Sequence, residues 1–258
     1  MRHSTFYTVL FATLICVVCG VIVSGAAVSL KDRQQFNSEL DKRKRVLEAA
    51  GITKPGQNLT SDEVERAFER FEVVVVELDT GEVDASVDPT TFDARSEKSN
   101  PEASSAAPPN QAGLTRVAHH AAVYLVRNDA GEVEMLVLPI EGVGLWGMMY
   151  GFIALDADLQ TVRGLTYYEH KETPGLGGEV DNPRWKALWP GRKVYQEGDV
   201  ALAVIKGPAP PPEEAPYAVD GLSGATFTAR GVTNMIRFWL GEQGLGPFLE
   251  RFQSGEIT

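Results

Sequence analysis

From Ser4 to Leu30 the chain carries no charged side chain for 27 residues. As a helix such a run spans about 40 Å, more than the ~30 Å hydrocarbon layer of a bilayer, and it predicts a membrane-spanning anchor. A signal peptide is the competing reading. Its apolar core would be shorter, about 7–15 residues, and would follow a more basic start than Arg2 supplies, although Gly25-Ala26-Ala27 has the small side chains of a cleavage site. The length favours a retained single span. Lys31, Arg33, Lys42, Arg43, Lys44 and Arg45 follow this run and only Arg2 precedes it. By the positive-inside rule that would put the larger part of the chain in the cytoplasm, but residues 42–45 sit at the fringe of the window the rule counts. Charge leaves the orientation open.

Beyond the anchor the chain is long enough for one medium domain with its own core. Both cysteines, Cys16 and Cys19, lie in the apolar run, so the rest of the chain has no disulfide and no thiolate metal site. A net charge of −11, with no basic cluster beyond residues 42–45 beside the anchor, argues against nucleic acid as a partner.

Along the chain, Lys31–Ala50 reads as a polar helix stopped by Gly51. Thr60 with Glu63 forms a capping box for a helix through Phe71. Val73–Leu78 is rich in β-branched residues, and Asp79-Thr80-Gly81 turns it into a return strand at Glu82-Val83. Residues 31–113 thus form a membrane-proximal helix-and-strand region. Its last part, about 88–113, is rich in Pro, Ser, Ala and Asn and reads as an exposed, mobile linker. The main domain, residues 114–258, opens with a hairpin of Ala121–Arg127 and Glu132–Leu138 around Asn128-Asp129-Ala130-Gly131. Gly147–Leu155 and Val162–Glu169 make a second pair around Asp156-Ala157-Asp158. A short helix is expected over Pro183–Leu188, a strand at Val200–Ile205, and helices at Thr226–Gly241 and Pro247–Phe252. Strands first and helices last imply an α+β fold, a largely antiparallel sheet with helices packed on one face.

The stretch Asp220-Gly221-Leu222-Ser223-Gly224-Ala225-Thr226-Phe227-Thr228 carries the most chemistry. Its glycines allow a tight turn and close approach of a ligand, and its hydroxyls arrive where a helix begins, with free N–H groups suited to a phosphate. Simple N-capping by Ser223 or Thr226 is the alternative. Asp-x-x-Ser-Gly-Ala-Thr resembles the flavinylation motif of FMN-binding domains, in which a dedicated transferase moves FMN from FAD onto the last threonine. His170-Lys171-Glu172-Thr173-Pro174-Gly175-Leu176-Gly177-Gly178, running into Asp181-Asn182-Pro183-Arg184-Trp185, resembles the glycine-rich segment of the NqrC family, a subunit of Na⁺-translocating NADH:quinone reductases. So do Leu145-Trp146-Gly147-Met148-Met149-Tyr150-Gly151 and the anchor followed by a polar helix. The resemblance covers most of the chain and leaves residues 88–113 unmatched.

The resemblance implies FMN joined to Thr226 by a phosphoester, with Ser223, Gly224 and Ala225 completing the attachment loop. Asp220 would be part of what the transferase recognises, and Thr228 belongs to the same segment. It further implies Glu172, Thr173, Leu176 and Gly177 along the flavin, Leu145 and Trp146 near its ring, and Lys206 as a polar contact. Ordinary alternatives stand beside these. Leu145 and Trp146 could be core, Pro174, Gly175 and Gly177 could only shape a turn, and Lys206 could be a solvated lysine. His119 and His120 are neighbours before a strand, so they point to opposite faces and suit no common metal. Tyr167 and Tyr168 read as strand residues. Arg230 and Arg237 are expected on opposite sides of their helix, as surface or partner contacts.

By the resemblance the chain is an electron-transfer subunit of a six-subunit Na⁺ pump in the bacterial inner membrane, with its domain on the periplasmic side, against the charge rule. It would bind neither NADH, lacking a G-x-G-x-x-G after a strand, nor quinone, and one span makes no sodium path. The flavin subunit of the related ferredoxin:NAD oxidoreductase shares threonine-linked FMN, but the N-terminal region and Thr173–Trp185 favour the quinone reductase. A stand-alone anchored flavin module and a flavin-free adhesion domain are the remaining readings.

Overall fold

The computed structural model describes residues 4–257, which fall into two units, residues 4–42 and 43–257. Helix α1 runs Thr5–Ala49. The apolar run and the polar segment, expected as two elements, form one helix because no proline interrupts the 45 residues. Its N-terminal part exposes apolar side chains such as Phe11, Leu14 and Val21, and it is long and apolar enough to cross a membrane. The helix closes at Gly51, whose φ of +70° permits paired end bonds. The Ile52 N–H reaches the Leu47 carbonyl and the Gly51 N–H reaches the Glu48 carbonyl, both at 3.0 Å.

Helix α2, Ser61–Phe68, begins with the expected capping box between Thr60 and Glu63. Strand β1 (Phe71–Glu77) follows, but its partner is distant in sequence. It pairs antiparallel with β4 (His120–Arg127), and Val83 makes only an isolated bridge to Val76. The segment read as a linker contains α3 (Ala94–Ser99) and β2 (Ser104–Ala106), the latter paired with β3 (Arg116–Ala118). Tertiary contacts order it. The Arg95 guanidinium lies 3.7 Å from the centre of the Tyr150 ring and pairs with Glu169 at 2.8 Å, and Lys98 pairs with Glu141.

Strands β5 (Val133–Val143), β6 (Met148–Asp156) and β7 (Val162–Glu169) complete an antiparallel sheet of order β1-β4-β5-β6-β7. Both predicted hairpins form, the first across Gly131 at φ +82°. After β7 come a 3₁₀ turn at Gly177–Asp181 and the single-turn α4 (Pro183–Lys186). The expected strand near Val200 breaks into two-residue pieces: β8 (Tyr195–Gln196), β9 (Asp199–Val200) and β10 (Ala203–Val204), the last paired with β11 (Ala218–Val219). Helices α5 (Thr226–Trp239) and α6 (Gly246–Gln253) end the chain as read from sequence.

Helices cover the sheet on both faces rather than one. Val123, Leu125, Leu136, Leu138, Ile153 and Tyr167 share a core with Val232, Met235 and Ile236 of α5 and Phe248 of α6. On the opposite face, Tyr124 packs edge-on to Phe68 of α2, and Arg95 of α3 lies over Tyr150. Strand β6 is therefore buried along most of its length, which a sheet wetted on one side would not allow.

The seating of α5 depends on Gly231, where a Cβ would lie 2.4 Å from the Val143 carbonyl oxygen. Alanine is the better helix former by about 1 kcal/mol. The clash is with strand backbone, which cannot swing aside, so Gly231→Ala is expected to destabilise by about 1–3 kcal/mol, as overpacking does. Thermal unfolding measures it; a higher melting temperature would mean that α5 is free to shift.

Candidate functional site

Helix α5 starts without a side-chain cap. Its N-cap residue is Ala225, so neither Ser223 nor Thr226 fills the capping role considered for them. The N–H groups of the first turn thus stay available, at the positive end of a 14-residue helix. Gly224 turns the chain into this start with φ +71°. Ser223, Gly224 and Thr226 are exposed, while Ala225 and Thr228 are buried. Thr226 opens the helix and lines a groove of about 850 Å³ together with Lys206, Asp220, Ser223, Arg230 and Arg237.

Arg230 and Arg237 share that groove instead of occupying opposite sides of α5, because seven residues are nearly two full turns. With Lys206 they make its walls basic in a chain of net charge −11. Asp220 is the one carboxylate in this lining, and its Oδ1 accepts the Ala209 N–H at 3.0 Å. Its carbonyl accepts the Trp185 indole N–H at 2.9 Å, so the residue pins the loop before the attachment turn.

Glu172 sits at the centre of the other half of the site and is only 6% exposed. Its Oε1 accepts the backbone N–H groups of Leu145 and Trp146, each at 2.9 Å. Its Oε2 accepts the Thr228 hydroxyl. One buried carboxylate therefore ties the β5–β6 loop to the first turn of α5. Sequence reasoning placed Glu172 along the flavin; the structure engages both of its oxygens in holding loops. Two glycines make room for it: a Cβ at Gly144 would stand 2.5 Å from Oε1, and one at Gly177 would stand 2.3 Å from Oε2.

Leu145 and Trp146 are not core. Trp146 is 64% exposed and Leu145 49%. Leu176 is exposed as well and lies over the attachment turn, since a Cβ on Gly224 would meet its Cδ2 at 2.9 Å. Phe227, beside Thr226, adds a further exposed ring, with the Arg230 guanidinium 5.8 Å from its centre. Thr173 is exposed, and its carbonyl accepts the N–H groups of Leu176 and Gly178. Gly177 is buried at the start of the 3₁₀ turn. The site thus joins an uncapped helix end, basic groove walls and an exposed apolar rim. That combination suits a ligand with a phosphate at one end and a flat apolar ring at the other. FMN has that form.

Phe227, Arg230 and Arg237 went unassigned to the site in sequence reasoning, although their spacing from Thr226 along α5 could have found the two arginines. The two adjacent histidines part as expected. The His120 ring nitrogens face Asp84 at 3.3 Å and Glu97 at 3.2 Å, and His119 bonds Ser105 at 2.9 Å.

Residues 144–241 match the family model described as FMN-binding domain, a span that contains every site residue named above. Over 254 aligned residues the chain is 46% identical to the NqrC subunit of the Na⁺-translocating NADH-quinone reductase of Yersinia pestis, covering 97% of this chain and 94% of that protein. The same subunit of Pseudomonas aeruginosa is 44% identical, covering 99% and 98%. Among solved structures, NqrC of Shewanella oneidensis superposes with a TM-score of 0.75 at 36% identity, covering 83% of this chain and 98% of that one. The corresponding subunit from Parabacteroides distasonis gives 0.65 at 27% identity, covering 85% and 96%.

Proposed function

The chain belongs to the NqrC family of Na⁺-translocating NADH-quinone reductase subunits, as an FMN electron-transfer subunit of that complex, and we propose that Thr226 holds the FMN covalently through a phosphoester. The observation that carries this reading is the exposed Thr226 at the uncapped start of α5, beside basic groove walls. The N–H groups of that first turn, with Lys206 and Arg230, would hold the phosphate. Leu145, Trp146 and Leu176 would pack along the ring, with Thr173 at its edge. Glu172, Gly177 and Thr228 would keep these walls in place, and Ser223, Gly224 and Ala225 shape the turn that presents the hydroxyl. Bound FMN supplies reversible electron carriage; the chain supplies its position and the partly apolar surroundings that tune it.

A threonine hydroxyl is a weak nucleophile at neutral pH, and the Asp220 carboxylate is engaged by the Ala209 N–H. Loading therefore calls for an external flavin transferase that takes FMN from FAD: the Thr226 Oγ–P bond forms, the pyrophosphate breaks and AMP leaves. Asp220 is proposed as part of what that enzyme recognises. The test is mass spectrometry of the full chain made with a flavin transferase. An FMN-sized increase on the peptide holding Thr226 is expected, and unmodified peptide beside active transferase would end the proposal.

Membership of this complex implies other membrane subunits as partners, which we propose to number five besides this one, with quinone reduced elsewhere in the assembly. With α1 as a single span in the cell membrane, the flavin domain is proposed to face the periplasm, against the charge rule. External protease added to intact spheroplasts should then digest the domain; complete protection, lost only on lysis, would place it inside.

A further inference from the structure

The backbone of Glu172, whose carboxylate joins the β5–β6 loop to α5, is held by a half-buried polar chain. The Glu172 N–H donates to His170 Nδ1 at 3.2 Å, and His170 Nε2 lies 2.8 Å from Asp181 Oδ2. An Nδ1 that accepts an N–H carries no proton, so the proton sits on Nε2 and is donated to Asp181. An imidazolium would set two N–H groups against each other at Nδ1. On the far side, Lys186 Nζ lies 3.3 Å from Asp181 Oδ1, 2.8 Å from Glu48 Oε1 and 3.0 Å from Thr166 Oγ1. Burial opposes ionisation of Asp181, but the His170 hydrogen bond and the Lys186 charge outweigh it and hold the carboxyl below its usual range. Asp181 is thus an anion that fixes one tautomer of His170.

We propose that His170, accepting the Glu172 N–H at Nδ1, is a positioning residue for the flavin site: through that bond it aims the Glu172 carboxylate at Leu145, Trp146 and Thr228. The chain Glu48–Lys186–Asp181–His170–Glu172 then links the last turn of α1 to the apolar rim of the site. Supporting groups of this kind fix a site's geometry without touching the ligand. For the flavin the inference rests on the reading above; for the two loop amides it stands on the hydrogen bonds alone.

Two substitutions separate the ring nitrogens. Asparagine places an acceptor where Nδ1 stands, and glutamine places a donor where Nε2 stands. In the FMN-loaded full chain, H170Q keeps the bond to Asp181 and loses the acceptor for Glu172; H170N does the reverse. Hydrogen exchange of the Leu145 and Trp146 amides is the direct readout. H170Q should speed it tenfold or more while β5 and β6 keep their protection, and H170N should hold it within about threefold of the parent. H170Q should also change the flavin's two-electron reduction equilibrium at least tenfold, about 30 mV, with H170N close to the parent. Equal behaviour of the two variants, or loop amides unchanged in H170Q, would overturn the proposal. Exchange can be read in unloaded protein too, so failure here is distinct from failure of the Thr226 linkage, which the mass increase reports.

Discussion

Thr226→Val is expected to leave a folded protein that carries no covalent flavin. Valine keeps the β-branched shape and differs mainly in the hydroxyl, and that hydroxyl does not cap α5, whose N-cap residue is Ala225. Thr226 is exposed, so stability should change by no more than about 0.5 kcal/mol, as for most surface substitutions. The effect on loading is all or none, because no phosphoester forms without an oxygen at that position. After expression with a transferase, the FMN-sized increase should vanish from the peptide containing Thr226, with the circular dichroism spectrum unchanged. The neighbouring hydroxyls sharpen the test. Thr228 is buried against Glu172 and cannot reach a transferase without unwinding the helix. Ser223 is exposed in the preceding turn and is the one realistic substitute. An adduct retained in the valine variant and lost in Ser223→Ala would move the attachment by three residues and reject Thr226.

Local signals carried much of this architecture. Asn128–Gly131 and Asp156–Asp158 are turn chemistry between alternating apolar runs, and both hairpins form where those residues stand. The Thr60–Glu63 box and the glycine stop at Gly51 are equally local, and both are present. The features that escaped the sequence are long-range. Nothing within Phe71–Glu77 states that its partner is His120–Arg127 rather than the adjacent Glu82-Val83. Residues 88–113 lack the apolar content that signals a packed element, and α3 is held instead by Arg95 on Tyr150 and Glu169. The site divides the same way. Its residue types are legible as a motif, and the uncapped helix, the exposed Trp146 and the basic groove suit a flavin phosphate and ring. The task of Glu172 could not be read, since a glutamate between Lys171 and Thr173 gives no sign that it will be buried and will accept three hydrogen bonds. The shared side of Arg230 and Arg237 could have been read, as seven residues return to one helix face.

Glu48 shows the cost of such long-range placement, and Glu48→Ala is expected to destabilise the domain by about 3 kcal/mol. The side chains of Lys186 and Glu48 are 4% and 8% exposed, and their ion pair measures 2.8 Å. Both gave up hydration on folding, so the pair itself need not be strongly stabilising, but removing one member leaves the other buried with too few partners, at about 3–5 kcal/mol. Lys186 would keep Thr166 at 3.0 Å and the more exposed Asp181 at 3.3 Å, which argues for the lower end of that range. Glu48→Gln, which retains an acceptor, should cost less than alanine. The decisive comparison is the double variant Glu48→Ala, Lys186→Met. It removes both charges, so it should recover most of the loss and lie within about 1 kcal/mol of the parent, with a coupling energy of at least about 2 kcal/mol. Denaturant unfolding of the full chain in detergent, followed by circular dichroism, gives the four stabilities. Simple additivity, with the double variant worse than either single, would show that the buried ammonium is adequately held without Glu48. Glu48 would then stabilise the domain through other contacts, such as the Arg45 guanidinium 3.0 Å from its Oε2, and the polar chain would end at Lys186.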